Sequence, residues 1–323
     1  MSTKSAGTRG LLLSGDAVPT SRRHNLPAVA VVAHSGKSLG GGLPELRKVL
    51  AAEGVNDPLW YEVTKSRKAP KFAQRAMSQG AEVLFVWGGD GMVQRCIDAL
   101  AGTSGVVAIL PAGTANLLAT NLQIPANITG AVRVGLHGER RRLDTGSVNG
   151  EHFAVMAGAG FDARMIKDAD RGMKNRFGRA AYLITGTRNL GTDPAKAVIE
   201  VDGERFFKGR VSCVLVGNVS KILGGIELFS GSQPDDGLLE LGVVTAQSAV
   251  DWIRTLGRVA LSEAERSPFV EAARGKRFRI RFDQRFPYEL DGGARPGVRK
   301  IRVNVEPSSI RICVPGQTGA NAT

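Results

Sequence analysis

Residues 82–116 constrain the fold of this chain more than any other stretch. They contain two apolar runs, at 83–87 and 106–110, and each run leads into a turn rich in glycine. Continuous apolar runs of this length are typical of strands buried on both faces of a parallel sheet. Such sheets bind ligands at the edge where the carboxyl ends of the strands meet. The two turns are therefore predicted to lie side by side at one site.

The first turn combines glycines with an acidic residue, and helix-spaced apolar residues follow it at 92–100. Glycine lets backbone amides approach a phosphate group because no Cβ stands in the way. Asp90 has two interpretations, a helix N-cap or a carboxylate that works in the site. The second turn runs from Pro111 to Asn116 and adds Gly113 and Thr114.

Charge and composition narrow the class of protein. The chain has 43 Lys and Arg against 30 Asp and Glu, a net charge of +13 that favours polyanionic partners. Basic runs without interleaved aromatic residues, and without helix-turn-helix or finger spacing, argue against nucleic acid. No apolar run approaches the roughly 18 residues of a membrane span. Three well-separated cysteines predict reduced core residues in a cytoplasmic protein.

The pattern of elements predicts two domains. Strands and helices alternate up to residue 139, which predicts an α/β domain with a parallel, doubly wound sheet at 27–139. Short strands separated by turn pairs such as Asp202-Gly203 follow, and they predict a mainly antiparallel β-sandwich at 140–315 whose C-terminal end packs back on the first domain. Residues 1–26 and 316–323 are predicted tails.

The two turns together resemble the diacylglycerol kinase catalytic family, which includes bacterial lipid kinases, sphingosine kinases and ceramide kinase. Its members carry Gly-Gly-Asp-Gly-Thr and, one strand later, Pro-x-Gly-Thr-x-Asn. Further family-like segments are Ser35-Gly36, Thr64, residues 160–163, Asn218, Gly224-Gly225, residues 235–240 and Leu290-Asp291-Gly292. The chain departs from the family at Val32-Ala33 in place of Asn-Pro, Met92 in place of threonine, Gly231 in place of aspartate and Gly293 in place of glutamate.

The resemblance implies roles for these residues. ATP would be bound by Ser35, Gly36, Lys37, Thr64, Gly88, Gly89, Gly91, Gly113, Thr114 and Asn116. Asp90 would act through Mg²⁺ or water near the γ-phosphate, and Asp291 would be the general base on the acceptor hydroxyl. Asp291 also suits a simple hairpin turn. Asp235 and Asp236 could hold Mg²⁺ through oxygen ligands or form an Asx-type turn.

The function implied is an ATP-dependent lipid kinase with diacylglycerol as acceptor, cytoplasmic and bound peripherally to an anionic membrane surface; a homodimer is compatible with the sequence. Three alternatives stay open. The first is an NAD kinase, which also uses a Gly-Gly-Asp-Gly loop. The second is a non-catalytic nucleotide- or lipid-binding regulator, which the departures from the family pattern would fit. Gly158 to Ala163 resemble a dinucleotide fingerprint of oxidoreductases, but no acidic residue follows about 20 positions on. A P-loop at Gly36-Lys37-Ser38 is excluded, because Val31 stands where its first glycine is needed.

Overall fold

The computed structural model describes residues 26–160, 194–222, 226–261 and 263–316. The strands are β1 (Val29–His34), β2 (Leu59–Val63), β3 (Val83–Gly88), β4 (Val106–Pro111), β5 (Glu139–Val148), β6 (Glu151–Phe153), β7 (Met156–Ala159), β8 (Ala195–Val201), β9 (Glu204–Val211), β10 (Cys213–Gly217), β11 (Lys221–Ile222), β12 (Ile226–Glu227), β13 (Leu239–Val244), β14 (Val270–Gly275), β15 (Arg277–Leu290) and β16 (Gly293–Val314). The α-helices are α1 (Gly42–Ala52), α2 (Ala69–Ser78), α3 (Asp90–Leu100), α4 (Leu117–Asn121), α5 (Ile128–His137) and α6 (Ala249–Ala260).

Several sequence predictions fall outside the described residues. They are the tail at 1–25, the Phe161-Asp162-Ala163 part of one motif, the basic segment around Lys174 and Arg176, the helix at 178–190, Gly224-Gly225, and residues 317–323.

The N-terminal half contains the predicted α/β domain. Strands β2, β1, β3 and β4 are neighbours in that order, and every pairing among them is parallel. All residues of β3 and β4 are buried, as their continuous apolar sequences predict. Helix α1 packs against α5, and α2 packs against α3. The α/β prediction is therefore confirmed, with the carboxyl ends of all four strands at one edge.

The C-terminal half is mainly antiparallel, as predicted. Strand β7 lies between β10 and β15, and β15 forms a long hairpin with β16. The predicted Asp202-Gly203 hairpin joins β8 to β9, and both turn residues have positive φ, 52° and 101°. A separate core fills this half, with Phe278, Phe286 and Phe153 among its fully buried side chains.

Strand boundaries in this half differ from the sequence prediction at two places. The apolar sequence at 153–156 predicts one strand, but β6 ends at Phe153 and β7 begins at Met156. The amides of residues 154–156 bond to a side-chain carboxylate instead of a neighbouring strand. Residues 301–305 and 310–314 were expected to be two strands, but they belong to the single strand β16, which is irregular between Glu306 and Ile310.

Strand β16 joins the two halves. It pairs antiparallel with β15 and β5 in the C-terminal half, and its end runs parallel to β4, with Arg311 opposite Val106. One continuous sheet therefore carries both halves. The three cysteines are buried and free, and burial raises the pKa of the Cys96 thiol to about 12. Among the described residues, every helix is too short or too polar to span a bilayer.

The two glycine turns are in contact. Gly88 is paired with Pro111 at the ends of β3 and β4, so the loops that follow start side by side. A Cβ built on Gly113 would stand 2.3 Å from the Cα atom of Gly89 and 2.6 Å from Asn116 Oδ1. Only a glycine at position 113 permits this approach, because the obstructing atom at Gly89 is backbone and cannot rotate away.

We predict that Gly113→Ala separates the two turns. Forcing a methyl group into a closed contact costs about 1–3 kcal/mol, so urea denaturation should show a loss of unfolding free energy in that range. Gly257→Ala in α6 is the matched control, because a Cβ at Gly257 meets no atom within 4 Å. A Gly113→Ala protein as stable as the control would contradict the observed contact.

Candidate active site

The loops after β1, β2, β3 and β4 meet at the carboxyl edge of the parallel sheet. The Ser35 amide donates to Val63 O at 2.9 Å, which ties the first loop to the end of β2. The Trp87 indole donates to Lys37 O at 3.1 Å, which ties the same loop to β3. Ser35, Gly36, Lys37, Thr64 and Thr114 are exposed at this edge. The structure thus brings the residues assigned to ATP together on one surface.

Asn116 holds the second turn in shape. Its backbone is left-handed, with φ 48°, and its side-chain amide donates to Pro111 O at 3.1 Å and to Gly113 O at 2.9 Å. Its Oδ1 accepts from the Gly113 amide at 2.9 Å. The Asn116 side chain, which the sequence assigned to the nucleotide, therefore bonds within its own loop. These bonds hold the backbone of the turn that contains Gly113 and Thr114.

Some of the amides expected to meet a phosphate already have partners. Besides the Gly113 amide, the Gly36 amide donates to His34 Nδ1 at 3.1 Å. A phosphate that used either amide would have to displace these acceptors. The space around Gly91, at the start of α3, is open, because a Cβ built there meets no atom within 4 Å.

Asp90 joins the two turns. It lies in the first turn of α3, yet its Oδ1 accepts from the Leu117 amide at 2.6 Å, at the start of α4. The N-cap interpretation is thus partly right, but the capped helix is the neighbouring one. Burial raises the pKa of this carboxyl above its usual value, while amides of residues 116–118 oppose the shift. Met92, where the family has threonine, is buried and contributes to the core.

Asp291 lies in the turn of the β15–β16 hairpin, where it has φ 44° and Gly292 has φ 76°. Its carboxylate is held by three backbone amides: Oδ2 accepts from Ala154 at 2.8 Å, and Oδ1 accepts from Val155 and Met156 at 2.9 Å. A non-glycine residue in the left-handed region stores strain of a kind often found at functional sites. The hairpin interpretation is therefore correct, but the aspartate is buried in a cradle of amides.

The two aspartates assigned to catalysis are electrostatically coupled. The pKa of Asp291 is raised to about 7, mainly because the residue is only 4% exposed; the three amides lower the pKa, and the Asp90 charge contributes to raising it. Asp291 comes from the C-terminal half and Asp90 from the N-terminal half. The Asp90 charge is thus close enough to influence the protonation of Asp291.

Two buried polar residues, Asn218 and Asp144, form hydrogen bonds around the segment that holds Asp291. Asn218 is buried, and its amide donates to Ala154 O at 3.0 Å and to Asp144 O at 2.9 Å. Asp144, also buried, accepts from the amides of Ser308 and Gly237 at 2.7 Å each. The sequence motif included Asn218, but the role of Asp144 was not predicted. Its only sequence signal is an acidic residue within the buried part of β5, residues 143–148.

A polar cluster connects the Asp291 hairpin to α3. Arg295 pairs with Glu151 and donates to Gly293 O at 2.8 Å. Gln94 of α3 donates to His152 O at 2.7 Å, beside Glu151. The Arg295 guanidinium holds the pKa of Glu151 below its usual range. A Cβ built on Gly293 would lie 2.8 Å from Arg295 Nη1, so the family's glutamate at 293 is incompatible with this position of Arg295.

The two aspartates assigned to a metal have arginine partners. Asp235 pairs with Arg141, and Asp236 pairs with Arg274. Asp236 Oδ1 also accepts from the Leu238 amide at 3.0 Å, which is the Asx-type turn that the sequence left open. No three His, Cys, Asp or Glu side chains within the described part of the chain form a group that could hold a metal ion. These two carboxylates therefore do not fit a resident Mg²⁺.

The dinucleotide-fingerprint alternative does not fit the described part of its motif. Gly158 lies inside β7 and is paired antiparallel with Leu215 of β10 and Glu289 of β15. A fingerprint glycine would belong to a turn between a parallel strand and a helix.

Comparison with known protein families matches most of the chain. Residues 28–148 match the diacylglycerol kinase catalytic domain, and residues 155–314 match the YegS C-terminal NAD kinase beta sandwich-like domain. A "probable lipid kinase YegS-like" of Pseudomonas aeruginosa is 32% identical over 300 residues, covering 89% of this chain and 94% of the relative. A protein of the same name from Cronobacter sakazakii is 29% identical over 276 residues, covering 83% and 89%.

Solved structures share the fold. A diacylglycerol kinase from Bacillus anthracis gives a TM-score of 0.67 at 18% identity and covers 90% of this chain and 97% of the other. Another solved chain from that organism gives 0.74 at 21% identity, covering 90% and 98%. At such identities the likeness concerns the fold alone. From the family models and the Pseudomonas relative, the chain belongs to the diacylglycerol kinase catalytic-domain family of YegS-like lipid kinases, phosphotransferases that act on an alcohol group.

Proposed function

We propose that this enzyme transfers the γ-phosphoryl group of ATP to the hydroxyl of diacylglycerol. The observation that carries the proposal is the convergence of the Gly89 and Gly113 turns with Asp90 and with the buried carboxylate of Asp291. Phosphoryl transfer requires mainly positioning of the phosphates, charge stabilisation and a base near the acceptor. The acceptor is supported by the names of the relatives and by the family, and sphingoid bases, ceramides and polyprenols are the competing lipids.

The triphosphate would lie across the carboxyl edge of the parallel sheet. The residues proposed to form the triphosphate site remain Ser35, Gly36, Lys37, Thr64, Gly88, Gly89, Gly91, Gly113, Thr114 and Asn116. Within this set, Gly91 gives open space, Lys37 supplies positive charge, and the Thr64 and Thr114 hydroxyls are exposed. Gly88 and Asn116 would act by holding the turns rather than by direct contact.

Asp291 is proposed as the general base. A carboxylate offers about four acceptor positions, and three are used by the amides of residues 154–156. The remaining position, on Oδ2, would accept the proton of the lipid hydroxyl. The hydroxyl oxygen then bonds to the γ-phosphorus while the bond from that phosphorus to the bridging oxygen of ADP breaks. The product is a phosphate monoester of the lipid.

Mg²⁺ would arrive as the counter-ion of ATP, since Asp235 and Asp236 do not fit a resident ion. When bound, it supplies neutralisation of the phosphate charge. Asp90, which is only partly buried, is the chain's own carboxylate proposed to face it. The lipid would be met at an anionic membrane surface on the cytoplasmic side. A homodimer is not needed for any of these steps.

The pKa of Asp291 predicts a pH dependence of turnover. A base must be unprotonated, so kcat should rise with pH through about 7 and then level off, because the folded-state pKa of Asp291 is about 7. Asp291→Asn should lower kcat by about a hundredfold or more, as expected for loss of a general base, while ATP still binds. Asp283→Asn, an exposed aspartate on the same strand, is the matched control.

The assay measures phosphate transfer from labelled ATP to each lipid in neutral detergent micelles, with NAD⁺ as a further acceptor. Full activity of Asp291→Asn would remove the assigned base. Phosphorylation of NAD⁺ in place of lipid would favour the NAD kinase alternative, and binding of ATP without transfer to any acceptor would favour the regulator.

Gly91 predicts a separation of binding from stability. Alanine at this helical position meets no atom, and Ala is favoured over Gly in helices by about 1 kcal/mol, so the unfolding free energy should stay equal or rise. If the triphosphate lies against Gly91, the new methyl group should weaken ATP binding at least about tenfold, a cost of about 1.4 kcal/mol. Calorimetric titration with ATP measures this, with Gly257→Ala as control. Unchanged affinity would place the triphosphate elsewhere.

A further inference from the structure

One face of the C-terminal half carries an array of exposed cations, and we name it the basic sheet face. It is formed by β9, β8, β15 and β16, which are neighbours in that order. Side chains alternate along these strands: Phe278, Ile280 and Phe282 are buried in the core, and the residues between them are exposed. The exposed cations of the basic sheet face are Lys196, Arg205, Lys208, Arg210, Arg279, Arg281, Lys300 and Arg302.

Like charges stand directly opposite each other on this face. Arg279 is paired with Arg302, and Arg281 is paired with Lys300. The side chains of Arg279 and Arg281 are 61% and 59% exposed. Directly opposed like charges destabilise a sheet. Such an arrangement is understandable where the face meets an anionic partner.

The acidic residues on this face do not neutralise it. Glu200 lies opposite Arg279, and its carboxylate oxygens are 3.8 Å from the guanidinium groups of Arg279 and Arg281. Asp283 accepts from the Lys196 amide at 2.9 Å. Against eight cations these two carboxylates leave a strong excess of positive charge, so the face attracts polyanions.

We propose that the basic sheet face docks the enzyme on the anionic surface of a lipid bilayer. An array of flexible cations spread over four neighbouring strands suits a surface of anionic head groups, which attracts each nearby Lys or Arg. A single-stranded nucleic acid would need aromatic side chains on which its bases stack, and the outward positions paired with these cations include none. This inference rests on the proposed function, because a kinase for a membrane lipid must meet its substrate at a bilayer.

The geometry also connects docking to the site. Strand β15 carries Arg279 and Arg281 on the basic sheet face and ends at Leu290, immediately before Asp291. Because this strand connects the face to the site, adsorption of the face would set the orientation of Asp291 relative to the bilayer. The basic sheet face would thus orient the enzyme as well as retain it at its substrate.

The test uses the full chain and vesicles without ATP. Co-sedimentation with mixed phosphatidylcholine and phosphatidylglycerol vesicles is compared with pure phosphatidylcholine vesicles, for wild type, Arg279→Gln/Arg302→Gln and Lys71→Gln/Arg75→Gln. The last variant removes the same charge from exposed positions on α2. Each cation near an anionic surface contributes roughly fivefold to binding, so the Arg279/Arg302 variant should bind mixed vesicles at least about tenfold more weakly. The α2 variant and wild type should bind alike.

The proposal is overturned if both variants lose binding equally, if neither does, or if wild type binds pure phosphatidylcholine as well as the mixture. Loss of single-stranded oligonucleotide binding by the Arg279/Arg302 variant, with vesicle binding intact, would identify nucleic acid as the partner instead.

Thermal unfolding checks that the variants fold, and removing opposed charges should leave Tm unchanged or higher. Transfer to lipid in neutral detergent micelles should be the same in all three proteins. If no transfer occurs in any of them while the docking result holds, the proposed function fails and the docking surface stands.

Discussion

The close approach of two glycine turns is the contact on which the candidate site depends. The pairing of Gly88 with Pro111 fixes where the loops begin, and the bare Cα atoms of Gly89 and Gly113 allow them to touch. Asp90 then crosses from one turn to the Leu117 amide, so a single carboxylate holds both loops and the start of α4. This edge of the parallel sheet is therefore a closed unit whose shape comes from backbone contacts more than from side chains.

The second constraint is the sheet that passes through both halves of the chain. Strand β16 starts two residues after Asp291 and ends beside β4, the strand that leads to the Gly113 turn. The carboxylate and the glycine turns are thus connected by strand hydrogen bonds. The cluster of Arg295, Glu151 and Gln94 adds a side-chain connection between the hairpin and α3. In this chain the connection uses an arginine and a glycine where the family has a glutamate.

Local signals in the sequence were enough to predict the N-terminal half. The buried strands β3 and β4 and their glycine turns follow from residues adjacent in the chain. The sequence allows Asn127 or Thr129 to cap α5, and the structure shows that Asn127 does so, with its Oδ1 accepting from the Gly130 amide at 2.7 Å. The edge strand β14 was not predicted, because Val270–Gly275 has neither a continuous apolar run nor a regular alternation of apolar and polar residues. The elements that were predicted and the strand that was not are both explained by the pattern of residues adjacent in the chain.

Contacts between distant residues could not be predicted in this way. The amides of residues 154–156 leave the strand pattern for a carboxylate more than 130 positions away. Asp235 and Asp236 look like metal ligands until Arg141 and Arg274 are brought beside them by folding. Asn116 looks like a nucleotide ligand because its sequence position matches a motif, whereas its amide is used to shape the loop. In each case the sequence shows the group but not the partner that decides its role.

The separate loops are proposed to contact one triphosphate together. Hydrogen exchange of the full chain, with and without a non-hydrolysable ATP analogue, tests this joint contact most sharply. Convergence of the loops predicts that the analogue slows exchange at residues 35–38, 89–92 and 113–116 together. Protection confined to residues 157–160, or absent from the two glycine turns, would contradict it.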